Sequence, residues 1–190
     1  MELIKDTGIT LQATAFREKD RILKVLTRQR GVVSLIIKRI SPKRNILARL
    51  AAPFSFGEFV YKTGRGEIGL LLEGDLQQAN LALRQKLIFL KTAQNMCQVI
   101  LKTQMPHKPA PALFLLLKSY LAQIPIFTDL AVLLSSFKLK ILLYEGLLSV
   151  EKEDPLLPLA VAKSFAELLA NKISAAQEAR VKNLILQHYY

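Results

Sequence analysis

Few residues in this chain have the types and spacing for bond-making chemistry. There are two histidines and one cysteine. His107 lies in a proline-flanked stretch (Pro106, Pro109) and His188 near the C-terminus, neither beside a serine or cysteine in a nucleophile context. Cys97 sits among Met96, Val99 and Ile100 and reads as a small buried hydrophobe. No metal-ligand spacing and no phosphate-binding Walker string occurs, so no cofactor is expected. Gly64-Arg65-Gly66-Glu67-Ile68-Gly69 matches GxGxxG, but a dinucleotide site needs a helix straight after the glycines and an acid about 20 residues on. Here a strand-like Leu-rich run follows and residues 84–94 hold no acid, so the glycines read as a hairpin turn. Glu18 and Asp20 stand among Arg17, Lys19 and Arg21, whose charge favours the ionised carboxylate over a proton donor. The chain reads as a non-enzyme.

What remains is charge. The 190 residues carry 27 Lys and Arg against 15 Asp and Glu, a net +12. Arg17 to Arg49 holds eleven cations (Arg17, Lys19, Arg21, Lys24, Arg28, Arg30, Lys38, Arg39, Lys43, Arg44, Arg49) opposed only by Glu18 and Asp20. Such a field concentrates polyanions and gains free energy by releasing their counterions. Aromatic faces complete a single-strand site by stacking on bases. Phe16, Phe54, Phe56 and Tyr61 share this region; Tyr61, next to Lys62, is the one expected to be exposed, and the others read as core.

The elements that must carry these groups fall into two textures. Gly8–Phe16, Asp20–Thr27, Gly31–Ile40, Ala52–Lys62 and Ile68–Glu73 are short β-branched and aromatic runs separated by turn signals. Five strands with a longer connection between the third and fourth, wide enough for a short helix at Ile46–Leu50, predict a closed OB-type barrel. From Asp75 the apolar period becomes helical. Helices are expected over Asp75–Thr103, Ala112–Ile124, Thr128–Tyr144 (N-cap Thr128 or Asp129, Gly146 beyond its end), from Asp154 and over Ser174–His188. The fold class is therefore α+β: a five-stranded OB-fold β-barrel in residues 1–75, followed by an all-helical domain in 76–190. Despite a mean hydropathy of +0.25, the longest charge-free windows, Thr92–Leu101 and Ser119–Thr128 among them, are half a membrane span. The opening residues show no signal-peptide core, and a soluble intracellular protein is expected.

The order of these pieces resembles the bacterial RecO recombination-repair family. The resemblance is carried by Phe16-Arg17-Glu18-Lys19-Asp20-Arg21-Ile22-Leu23 leading into Leu26-Thr27-Arg28-Gln29-Arg30-Gly31-Val32-Val33. It continues through Lys38, a basic loop with Ser41, Pro53-Phe54, Glu73 and the helix Phe137-Lys138-Leu139-Lys140 ending at Gly146. Two features depart from the pattern: Arg39 stands where a glycine is usual, and Val150–Pro158 stands where many members carry a four-cysteine zinc module. The resemblance implies a cytoplasmic, nucleoid-associated mediator that binds single- and double-stranded DNA and anneals complementary strands. It would act with a RecR-like protein and assist RecA loading on SSB-coated DNA. It assigns DNA contacts to Arg28, Arg30 and Lys38, to which charge alone adds Arg39, Lys43 and Arg44, with Tyr61 as the stacking residue. Lys138 and Lys140, beside Phe137 and Leu142, are the candidates for the acidic C-terminal tail of SSB. The residues alone leave open an RNA-binding OB module or a non-catalytic adaptor working through its helical half.

Overall fold

The computed structural model describes residues 2–38, 45–63, 66–148 and 153–189. Five strands, β1 (Glu2–Phe16), β2 (Asp20–Thr27), β3 (Gly31–Ile37), β4 (Phe56–Thr63) and β5 (Ile68–Gln78), close a barrel in the order β1-β2-β3-β5-β4, with β4 returning to β1. All pairings are antiparallel except β3–β5, which is parallel and spans only Ser34–Ile36 against Ile68–Leu70. The short helix α1 (Asn45–Leu50) joins β3 to β4. A 3-10 turn (Leu81–Arg84) then leads to α2 (Leu87–Thr103), α3 (Pro111–Gln123), α4 (Leu130–Tyr144), α5 (Leu157–Val161), α6 (Phe165–Leu169) and α7 (Ala175–Tyr189). The α+β class and the OB-type barrel followed by helices are as expected from the sequence. Among the described residues no helix is long and apolar enough to cross a membrane.

Side-chain alternation builds two cores. Leu23 and Val25 of β2, Val33, Leu35 and Ile37 of β3, and Phe59, Tyr61 and Leu71 of β4 and β5 fill the barrel, and Leu47 and Leu50 of α1 close one end. The Thr10 hydroxyl donates to the Leu50 carbonyl (2.8 Å) and so fastens that plug to β1. Strand residues on the outer surface, Ile9, Leu11, Leu26, Val32 and Phe56, instead join the helices in the second core. The Phe56 ring lies 6.2 Å from that of Phe114. The helices thus pack on the outside of the barrel through the second core, each fully buried Leu or Phe contributing about 1.5–3 kcal/mol.

The differences from expectation have local causes. β1 begins at Glu2, not Gly8, because Glu2–Ile9 pairs with β4; Leu3 and Lys5 point outward while Ile4 and Asp6 are buried, so the run looks too polar for a strand. β4 begins at Phe56, the preceding residues forming a turn in which Phe54 has φ +71° and its carbonyl accepts from Asn80 Nδ2 at 2.8 Å. β5 runs on to Gln78, so α2 starts at Leu87 rather than Asp75. Helix α6, not anticipated, is a short turn capped by Ser164, whose hydroxyl accepts from Glu167 N. Asp129 is the N-cap of α4, accepting from Ala131 N (3.0 Å) and Val132 N (3.2 Å).

Candidate nucleic-acid interface

The β2–β3 ladder sets the geometry of the basic surface. Its register pairs Arg21 with Ile37, Lys24 with Ser34 and Thr27 with Gly31. Because Leu23, Val25, Val33 and Leu35 point into the barrel, Ile22, Lys24, Ser34 and Ile36 must form a half-exposed outer row. Lys24 Nζ donates to Ser34 Oγ at 2.7 Å in the middle of this row. Farther along, Leu26 and Val32 are covered by helices, so the open part of the face is narrow.

One end of the ladder is the Arg28-Gln29-Arg30 turn, held firmly. Arg28 N donates to the Thr7 carbonyl (2.9 Å) and Gln29 N to the carboxylate of buried Asp6 (3.2 Å). The Thr27 hydroxyl accepts from Arg30 N (3.2 Å) and donates to the Gly31 carbonyl (3.1 Å). Arg28 is exposed, and Arg30 pairs with Glu2 at 2.8 Å on the surface. The other end is the β1–β2 hairpin with Arg17, Lys19 and Arg21, and Lys38 follows β3 there. Arg28 and Arg30 therefore lie at the opposite end from Lys38, roughly 20 Å away across the six steps, at ~3.3 Å each, that separate the first and last of the seven pairs. Lys24 stands between them. It was not singled out from the sequence, although its alternation with Leu23 and Val25 is the signal that places it on the outer row. Arg39, Lys43 and Arg44 lie outside the described residues.

Tyr61 corrects an expectation. It is 1% exposed, inside the barrel, not on its surface. Adjacent residues of a strand face opposite sides, so the exposure of Lys62 implied burial of Tyr61, not a shared surface. Burial, with the Asp6 charge adding to it, pushes its phenol up to about 12. Of the barrel-segment aromatics, Phe16 is the exposed one, 38% at the hairpin, with the Arg17 guanidinium 5.2 Å from its ring centroid and Arg17 itself at φ +56°. A hairpin shoulder between charged residues is where an exposed ring could have been sought.

Lys138 and Lys140 do not form one site. Two residues apart on α4, they point to different sides. Lys138 enters a hollow of ≈ 340 Å³ between α2, α4 and α7, lined by Val99, Lys102, Lys138, Lys182, Ile185 and Leu186 among others. Burial first, then the nearby Lys182 charge, lowers its ammonium below the usual lysine range. Lys140 Nζ donates instead to the Ala162 carbonyl (2.5 Å) and the Ala160 carbonyl (3.4 Å) at the end of α5. Its ammonium, also lowered by burial, ties α5 to α4.

With this geometry in hand, residues 1–79 match the family model described as recombination protein O N terminal. The chain is 28% identical over 145 residues to the DNA repair protein RecO of Bacillus pumilus, covering 76% of this chain and 56% of that protein. It is 26% identical over 143 residues to the RecO of Listeria monocytogenes (75% and 56%). To that of Chlamydia trachomatis it is 28% identical over 145 residues (76% and 59%). The matched stretch thus spans a little over half the length of these curated relatives.

Proposed function

We propose that this chain, whose residues 1–79 match the recombination protein O N-terminal family model, is a non-catalytic DNA-binding mediator of recombinational repair that holds single strands and promotes their annealing. The observation that carries this reading is the β2–β3 ladder, with Lys24 on its open outer face, Lys38 and the hairpin cations Arg17 and Arg21 at one end, and Arg28 and Arg30 at the other, beyond the helix-covered pair Leu26 and Val32. Cations strung along a strand meet a sugar–phosphate chain at successive phosphates and leave the base edges free. Annealing asks for no acid–base step; it asks that two polyanions approach with their repulsion screened. Phe16 is the surface ring on which a base stacks.

The acidic, carboxylate-terminated tail of SSB fits the hollow at Lys138. Lys138 and Lys182 meet its carboxylates, and Val99, Ile185 and Leu186 meet its terminal apolar side chain. A RecR-like protein and RecA loading on SSB-coated DNA follow from the family resemblance. The decisive experiment is fluorescent annealing of complementary oligonucleotides, with and without SSB, beside matched RNA oligonucleotides. Accelerated DNA annealing that Lys24→Glu with Arg28→Glu abolishes supports the reading. Equal binding and annealing of RNA, or no loss in the double variant, overturns it.

A further inference from the structure

The link between α2 and α3 is bound to the barrel through its main chain. His107 N donates to the Val32 carbonyl at 2.9 Å, and Pro106 forms a β-bridge with Val32. Gly31, at φ +67°, lies against the Lys108 carbonyl, where a Cβ would stand 1.9 Å from the oxygen; only glycine permits the approach. His107 is itself held at φ +61°. These contacts fix residues 105–108 beside the Arg28–Arg30 turn, which ends at Gly31. Yet the side chains of the link serve the core little: Met105 is 72% exposed, and His107 and Lys108 are exposed too. Lys108, itself more than half exposed, pairs at 3.6 Å with the largely buried Glu145, which also accepts from Gln104 Nε2 at 2.8 Å.

We propose that Met105–Lys108 is a second wall of the nucleic-acid track, so that a bound strand passes from the barrel face across Arg28 onto the helical half. His107 offers a flat ring to a base, Met105 an apolar contact and Lys108 a phosphate contact. The proposal rests on the reading of the barrel as a single-strand site and extends it to residues of the other half. A track anchored on both halves reads the strand with fixed geometry, because the main-chain contacts at Val32 and Gly31 hold the walls together.

The test uses the whole chain with a dye on Met105→Cys, on Arg28→Cys or, as a remote control, on Leu169→Cys, which is 54% exposed on α6. The native Cys97 is buried, its thiol pushed up to about 12 by that burial, and stays unlabelled. A quencher-bearing oligo-dT of about 30 residues, long enough for a site of this class, is titrated in. Saturable quenching at positions 105 and 28, each at the midpoint that anisotropy gives for the same variant, and none at 169, is the expected result. Quenching at 28 but not at 105 overturns the second wall and leaves the barrel reading intact. No binding by anisotropy in any variant overturns both. Independently, His107→Ala is expected to weaken oligo-dT binding about fivefold, as loss of one stacked base does, with an unchanged thermal midpoint. Unchanged affinity in that variant overturns the role given to the ring.

Discussion

Two basic regions of this molecule are built on opposite principles. On the β2–β3 face the cations are spread along the ladder, Lys24 in the middle with its ammonium on the neighbouring Ser34 hydroxyl and the others at the two ends. In the α2–α4–α7 hollow three lysines stand with Asn95 and Gln98 around an apolar patch of Val99, Ile185 and Leu186, and burial already lowers Lys138. A row of solvated charges suits a long polyanion, whose affinity grows with each phosphate and falls with salt. A half-buried ammonium suits one anionic end-group, since a ligand carboxylate restores the interactions that burial removed. One net charge of +12 would thus serve both kinds of recognition proposed above.

The largest effect is expected where the two halves meet. Gly31→Ala places a methyl on the Lys108 carbonyl at a positive φ. It should cost at least about 3 kcal/mol of unfolding free energy, measured by chemical denaturation, because both strain and a backbone clash are introduced. A loss below about 1 kcal/mol would mean that the docking of residues 105–108 is soft. Next comes Lys24→Glu with Arg28→Glu. Single-strand affinity should fall about thirtyfold and the logarithmic salt slope should flatten by roughly one per lost contact, while an acidic tail peptide still binds. Parallel loss of both ligands would erase the distinction between the regions.

Lys138→Met should do the reverse, weakening the tail peptide about tenfold, as loss of one charged hydrogen bond does, with single-strand affinity unchanged. It also has a pH signature. The folded protein holds the Lys138 proton less tightly than the unfolded chain, whose lysine titrates near 10.5. The cost of the buried ammonium is fully present below the folded-state value and is relieved as pH climbs through it toward 10.5. Denaturation midpoints followed through the alkaline range should therefore rise more steeply with pH in the wild type than in Lys138→Met, and the variant should be the more stable of the two at neutral pH.

The strand pattern of β2 and β3 was legible because apolar residues there alternate with turn signals on either side. The start of β1 was not, since Glu2 and Lys5 disguise a strand whose partner, β4, lies over fifty residues away. The end of β5 was hidden in the same way, by Asp75 and Gln78, which pair with β4, and by Gln77 at the register shift between them. For the site, composition located the charge but not its layout: which cations share an outer row depends on registers that only pairing defines. The separation of Lys138 from Lys140 follows from helix period alone and was available in the sequence. The approach of residues 105–108 to Gly31 was not, because nothing local encodes it.

The smallest effect expected concerns Tyr61, where an interior position and a surface role make opposite demands. Among the described residues its hydroxyl has no hydrogen-bond partner, although Asp6, Arg30 and Glu2 are near enough for their charges to influence it. A buried, unsatisfied hydroxyl costs folding free energy that its removal returns, while the ring keeps its packing against the barrel core. Tyr61→Phe should therefore raise stability by about 1 kcal/mol, read from the denaturant midpoint at constant slope. Oligo-dT affinity should not move, whereas Phe16→Ala should lower it by the few-fold that one stacked base is worth. If instead Tyr61→Phe weakens single-strand binding, the hydroxyl reaches the ligand and the barrel must open to let it do so.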